Sequence, residues 1–311
     1  MKKEITILIP TFNRSELLNR SLSSLGLQDE RIFIHCVISD NFSQDETKEV
    51  VNSWINRKSN LKITYIKHDS DIRPLDNWMS MLGYIDTEYS KFLFDDDWLK
   101  GNALNQMLND ITKLKAKSII YNTNIYAKTH NYDPIVDYYK HNDKKLTTEI
   151  VINSILRIEN ALPVTPSAAV QTSDSLSEAL LFSEINSDCS EKVIGNDLIM
   201  NFFPLFQGCN SYFINKSIVN LWGGEDSITV NTTNGKILNF CYIKSLVYLL
   251  EKFYCETTIN QSKKINHKIF ANNIRSLINS EYVKFNDSNK FKPRPSIKEV
   301  SRYLLNKTFQ N

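Results

Sequence analysis

No run in these 311 residues reaches the roughly 18–20 consecutive apolar residues that a bilayer-spanning helix needs, so any membrane contact is expected to be peripheral. Metal-type cysteine spacing is missing too. Cys36, Cys189, Cys209, Cys241 and Cys255 form no CxxC pair, and their odd number and wide scatter point to reduced, mostly buried thiols. The histidines make no HExxH, and no GxSxG is present. Neither GxGxxG nor a P-loop follows the first apolar run, which leaves a dinucleotide fold unsupported. That run, Ile5 to Pro10 behind two lysines, is too short for a signal peptide, and no small-residue cleavage site follows it. There is also no internal repeat and no low-complexity linker.

What is present describes a folded protein: 41% hydrophobic, 23% charged and 11% aromatic residues, enough for one large domain or a domain with a helical appendage. The formal charge of +2 hides an asymmetry. Residues 236–311 carry fourteen Lys/Arg against five Asp/Glu, a local +9, so the first 235 residues carry −7. A basic end of this kind reads either as a solvated helical surface or as an amphipathic segment resting on an anionic membrane. Nucleic acid is not expected as a partner, because no binding motif accompanies the charge.

Apolar β-rich runs at 4–9, 32–38, 61–66 and 89–94 alternate with helical periodicity after Ser15, through KEVVNSWINR and around DNWMSMLGYI. Strand and helix thus alternate four times in the first hundred residues, the pattern of a mostly parallel sheet with crossover helices. A helix is expected over 99–115, a strand over 117–121, a polar loop over 122–145 and a helix over 147–158. Residues 161–170 read as extended or looped, 173–188 as a short helix with a loop, and CNSYFIN as a strand. Residues 236–280 and 295–308 are helical by periodicity, and the Gly-, Asn- and Thr-rich stretch 221–235 is the candidate boundary.

Ligands of such sheets bind outside the carboxyl ends of the strands. Asn13, Asp40 and the triplet Asp95-Asp96-Asp97 all follow predicted strand ends. Three adjacent carboxylates repel one another, and a divalent cation with hard oxygen ligands, Mg²⁺ or Mn²⁺, would relieve that cost. A solvated acidic loop with Asp97 as a helix cap is the competing reading. Asp40 offers a hydrogen-bond acceptor for a nucleobase or ribose, or else caps a turn. The turn Pro10-Thr11-Phe12-Asn13-Arg14 could approach a nucleotide through its amides and Arg14, or simply end the strand. Asp197, ahead of LIMNFFPLF, is placed either as a general base or as a helix cap. Glu225 and Asp226 form a second candidate pair.

ITILIPTFNRSELLNRSLSSL, VISDNFSQDET and DNWMSMLGYIDTEYSKFLFDDDWL together resemble family 2 glycosyltransferases of the GT-A fold, over about residues 4–120. The resemblance implies an α/β, mostly parallel sheet with flanking helices and a C-terminal helical appendage. Residues 1–235 would form the GT-A domain, with a donor half at 1–120 and an acceptor half at 121–235, and 236–311 a basic helical region. It further implies an inverting enzyme of bacterial surface-polysaccharide synthesis with a nucleotide-diphospho-sugar donor of UDP, dTDP or GDP type, a Mn²⁺ or Mg²⁺ ion, and a saccharide or lipid-linked acceptor. The site would be cytoplasmic or at the inner face of the membrane.

Carried over by position, Pro10, Thr11, Asn13, Arg14, Asp40, Asn77, Asp95 and Asp97 would line the donor. Asp96 would be the principal metal ligand, with Asp95 and Asp97 beside it. Phe94 stands where the family's aspartate-x-aspartate form has its first acid. Asp197 would be the base, with Glu225 or Asp226 as the fallback, and Thr165, Ser167 and Gln207 would face the acceptor. Two alternatives stand beside this reading. A non-catalytic subunit would bind the nucleotide sugar without turning it over. A sugar nucleotidyltransferase would show a Gly-rich basic loop after the first strand, which is absent.

Overall fold

A computed structural model describes residues 3–127, 131, 133–136, 139–155, 161–184, 195–224 and 235–255. Three strands start the chain, β1 (Lys3–Thr11), β2 (Ile32–Asp40) and β3 (Leu61–Lys67), the first two mostly apolar runs buried along nearly their whole length, the third half-buried. Strands covered on both faces carry such runs. In β1, Ile5, Ile7, Leu8 and Ile9 are all fully buried, each side chain contributing roughly 1.5–3 kcal/mol of apolar burial. Crossover helices α1 (Ser15–Gly26) and α2 (Thr47–Trp54) return the chain in parallel. A short helix α3 (Pro74–Met79), with proline at its first position, and a 3₁₀ turn at Leu82–Tyr84 replace the single helix expected around DNWMSMLGYI. Next come β4 (Tyr89–Phe92), β5 (Trp98–Leu99) and α4 (Ala103–Leu114), so the segment expected as one helix over 99–115 opens with a two-residue strand.

The loop expected over 122–145 is corrected. β6 runs from Ser118 to Ala127, through Asn122-Thr123-Asn124, and short strands β7 (Pro134–Ile135) and β8 (Lys144–Lys145) follow. Buried polar groups in a strand are tolerated when they are hydrogen-bonded. Asn122 Nδ2 donates to Asn215 Oδ1 at 2.5 Å and to the Tyr139 carbonyl at 2.9 Å, and Asn124 Nδ2 donates to Asn220 Oδ1 at 3.1 Å. The rest comprises α5 (Thr148–Ile155), a 3₁₀ turn at Pro166–Ala168, β9 (Ala169–Thr172), α6 (Ser173–Glu184), α7 (Asn196–Phe206), β10 (Ser211–Gly223) and α8 (Gly235–Cys255). The helices expected over 256–280 and 295–308 lie outside the described residues.

One sheet collects all the strands in the order β3-β2-β1-β4-β9-β6-β10-β5, with β7 on β6 and β8 on β10. The long ladders β1/β2, β2/β3 and β6/β10 are parallel, as is β1/β4. Strand β9 is antiparallel to both neighbours, pairing Ser90 with Gln171 on one side and Ile119 with Val170 on the other. One core packs α1, α2 and α4 onto the first strands through Leu18, Leu22, Val51, Leu104 and Met107. A second is formed by Val151 and Ile152 of α5, Leu198, Ile199 and Phe202 of α7, and Leu246, Leu249 and Leu250 of α8. The basic end expected from residue 236 onward therefore begins with a helix whose apolar side chains belong to this second core.

Candidate active site

Strand β1 ends at Thr11 and β2 at Asp40, which face each other in register. Three residues beyond the end of β4 the chain reaches the acidic triplet, so the carboxyl ends of three neighbouring strands meet at one edge. There Thr11 Oγ1 donates to Asp95 Oδ2 at 2.8 Å. Arg14 Nη1 lies 3.2 Å from both Asp95 Oδ1 and Asp96 Oδ2 and bridges the two carboxylates. Arg20 Nη2 donates to the Asp96 carbonyl at 2.8 Å while its guanidinium lies over Trp98 at 4.1 Å and Trp222 at 4.6 Å. Cation–π contact of that kind holds the arginine between the two indoles. The Trp98 ring also lies 4.8 Å from that of Tyr126.

Asp97 is held by other partners. Its Oδ1 accepts from the Trp222 amide at 3.1 Å, and the Ser167 hydroxyl and the Lys91 charge also stabilise its ionised form. Lys91 is itself buried, donating from Nζ to the carbonyls of Phe92 at 2.6 Å and Ser167 at 3.0 Å. Burial pushes the Lys91 ammonium down to about 7 and Asp97 up to about 6. Burial also raises Asp95, against the pull of Arg14 and Thr11. Asp96 is raised well above the usual carboxylate range, first by burial and then by the charges of Asp97 and Asp95. Arg14 and Lys91 thus leave the triplet short of positive charge. Among the described residues, no group of three or more His, Cys, Asp or Glu is arranged to hold a metal ion.

The other expected donor residues are bound up in the scaffold. Asp40 is fully buried, with Oδ1 accepting from the Ser43 amide at 2.8 Å and Oδ2 from Tyr65 Oη at 2.5 Å. Asn13 adopts a left-handed backbone, φ 51°, and ties the first turn to the second: its amide donates to Ser43 Oγ and its Oδ1 accepts from the Gln44 amide, each at 2.8 Å. Pro10 is buried in β1, opposite Ser39. Asn77 is buried in α3 and exchanges hydrogen bonds with Ser39.

Of the residues expected at the acceptor, Ser167 is brought to the triplet: its Oγ accepts from the Phe94 amide at 3.0 Å. Thr165 caps the same 3₁₀ turn. Gln207 follows the far end of α7, about 15 Å along the helix from Asp197 at 1.5 Å per residue, and donates from Nε2 to Glu178. Glu225 and Asp226 lie outside the described residues.

Asp197 sits in the first turn of α7. Its Oδ1 accepts from the amides of Leu198 at 2.9 Å and Gly195 at 3.1 Å, and its Oδ2 accepts from Tyr242 Oη at 3.0 Å. Burial raises this carboxyl to about 7 despite those three donors. The helix is joined to the acidic loop through the 3₁₀ turn: Asn201 Nδ2 donates to the carbonyls of Val164 at 2.8 Å and Thr165 at 3.0 Å, two residues ahead of Ser167. Sequence reasoning missed Lys91, Arg20, Trp222 and Tyr242. The lysine inside an apolar strand was a visible signal, whereas the other three act through partners 45 or more residues away.

Residues 6–156 match the model of Glycosyl transferase family 2, a span that contains Thr11, Arg14, Asp40 and the whole acidic triplet. Those residues are a family 2 glycosyltransferase domain. Two relatives are bacterial glycosyltransferases: abequosyltransferase RfbV of Salmonella typhimurium is 32% identical over 101 residues, and the GalNAc(5)-diNAcBac-PP-undecaprenol beta-1,3-glucosyltransferase of Campylobacter jejuni is 31% identical over 106. These alignments cover 32% and 34% of this chain and 30% and 33% of the relatives, so the chain spans about a third of the length of the curated relatives it matches. The structure of S. aureus TarS 1-349 in complex with UDP-GlcNAc superposes with a TM-score of 0.62 at 12% identity, covering 87% of this chain and 72% of that one. At that identity the likeness establishes the fold, which is GT-A. The family 2 match stops at residue 156, so Asp197 and Tyr242 lie beyond it.

Proposed function

We propose that this chain transfers a sugar, with inversion, from a nucleotide-diphospho-sugar to a saccharide or lipid-linked acceptor in bacterial surface-polysaccharide synthesis. The observation that carries the reading is the under-neutralised triplet Asp95-Asp96-Asp97 at the carboxyl edge of the sheet, bridged by Arg14. The family 2 match and the bacterial relatives support the reaction class. TarS with UDP-GlcNAc and a Pyrobaculum calidifontis mannosyltransferase with GDP-Man and Mn²⁺, both of the same fold, support a nucleotide-sugar donor.

The donor set fits a divalent cation of the kind that takes one or two carboxylates and completes its shell with substrate phosphate oxygens. Asp96, with Asp95 beside it, would hold Mn²⁺ or Mg²⁺, while Asp97 is engaged by Trp222 and Ser167. When bound, such an ion offsets charge developing on the departing diphosphate. Arg14, partly exposed at the same edge, offers a second positive charge to that diphosphate. Asp197, raised to about 7, takes the proton from the acceptor hydroxyl as its oxygen attacks the anomeric carbon opposite the diphosphate. A base with a pKa near the working pH combines adequate ionisation with useful basicity.

The test is nucleoside-diphosphate release from a panel of nucleotide sugars with Mn²⁺. Asp96→Ala and Asp197→Ala are each expected to lower the rate by about 10² or more. Normal release by Asp96→Ala would sink the metal assignment. Full transfer by Asp197→Ala would move the base to Glu225 or Asp226. Donor binding without release by the wild type would make the chain a binding subunit. No helix of the described residues is long and apolar enough to cross a membrane; cytoplasmic placement with peripheral contact through the basic end remains part of the proposal.

A further inference from the structure

We infer that Tyr242, on the C-terminal helix α8, is the positioning residue of the catalytic base, holding the Asp197 carboxylate in one orientation through its phenolic hydrogen bond. The inference rests on the reading of Asp197 as base and deepens it. The geometry begins at Gly195. Its φ of +92° is a conformation that L side chains rarely adopt, and a Cβ there would meet Ser245 Oγ and lie 2.9 Å from the carbonyl oxygen of Cys241. Only a glycine lets the first turn of α7 lie directly against α8, and that contact brings Tyr242, the neighbour of Cys241, onto Asp197.

A carboxylate has about four lone-pair positions. The amides of Gly195 and Leu198 both fall on Oδ1, and Tyr242 Oη takes one position on Oδ2. Oδ2, held by the phenol, is then the oxygen that receives the acceptor proton. Without the phenol the carboxyl plane would be pinned at one oxygen only. The same bond stabilises the ionised form and so opposes the rise that burial imposes on Asp197. Tyr139 and Cys241 are the other titratable groups that bear on the phenol, and like Asp197 they raise its pKa, which keeps Tyr242 a proton donor throughout the neutral range.

The experiment compares wild type with Tyr242→Phe, which removes the hydroxyl and keeps the ring. Two readouts are taken: the titration of the Asp197 side-chain carboxyl by ¹³C NMR, assigned by its loss in Asp197→Asn, and the pH profile of nucleoside-diphosphate release from the best nucleotide sugar with Mn²⁺. Loss of one hydrogen bond to the charged form is expected to raise the Asp197 titration by about one pH unit. The acidic limb of the rate profile should move by the same amount, with a five- to twentyfold lower kcat at pH 7 and an unchanged KM for the donor. A merely structural tyrosine would lower the rate at every pH and leave the limb in place. An unmoved carboxyl titration in Tyr242→Phe overturns the positioning role. A moved titration with an unmoved rate profile, together with transfer by Asp197→Asn, overturns instead the assignment of Asp197 as base, and the role of Tyr242 in catalysis with it.

Discussion

Asp197, proposed above as the base, would serve chemistry at the expense of stability. Its pKa of about 7 in the folded protein lies above the roughly 3.9 of an unfolded chain, so the native state binds more protons between those values. The stability it confers is therefore fully present below about pH 4 and is lost as pH rises through 7. Asp197→Asn keeps an acceptor for the Gly195 and Leu198 amides and carries no charge. It is expected to raise the melting temperature at pH 8 by about 2–4 °C, equivalent to ~1 kcal/mol, and to give no gain at pH 4. Thermal unfolding of both proteins at the two pH values checks this. The position of this aspartate was legible because a polar pair precedes an apolar helix. Its environment was not legible, since Tyr242 lies 45 residues further on.

Among the elements, α7 shows how a helix end is aimed. The left-handed φ at Gly195 and the close approach of α8 fix its first turn, and Asn201 fixes the middle against the Val164 and Thr165 carbonyls. Gly195→Ala combines backbone strain with a clash against the Cys241 carbonyl, and is expected to destabilise the protein by about 2 kcal/mol or more, read as a lower midpoint in urea unfolding. Strands β1 and β2 were legible because buried parallel strands write themselves as nearly continuous apolar runs. The second half of β6 was not. Asn122 and Asn124 read as loop residues locally, and what keeps them in a strand is hydrogen bonding to Asn215 and Asn220, over 90 residues away.

At the level of the whole molecule, α8 supplies Leu246, Leu249 and Leu250 to the core that carries α5 and α7. A chain ended after residue 234 would expose the apolar face of α7 along with the Asp197 turn. Such a truncation is expected to lower the melting temperature by 5 °C or more or to make the protein aggregate, with nucleoside-diphosphate release lost in either case; calorimetry and size-exclusion chromatography distinguish the two outcomes. Charge counting along the sequence revealed the basic end but not that its first helix is part of the core.

The acidic triplet and α7 are both tied to the short turn-and-strand segment from Val164 to Thr172. Strand β9, Ala169–Thr172, joins the β3-β2-β1-β4 half of the sheet to the β6-β10 half, and it runs against both neighbours. It follows directly on the Pro166–Ala168 turn, whose Ser167 touches the acidic loop. β9 therefore works as the spine of a book, with the acidic loop stitched to the second cover as well through Asp97 and the Trp222 amide. With the acidic loop and α7 both anchored on this one segment, substitutions at the outer edges of the sheet are expected to leave the spacing between Asp96 and Asp197 unchanged.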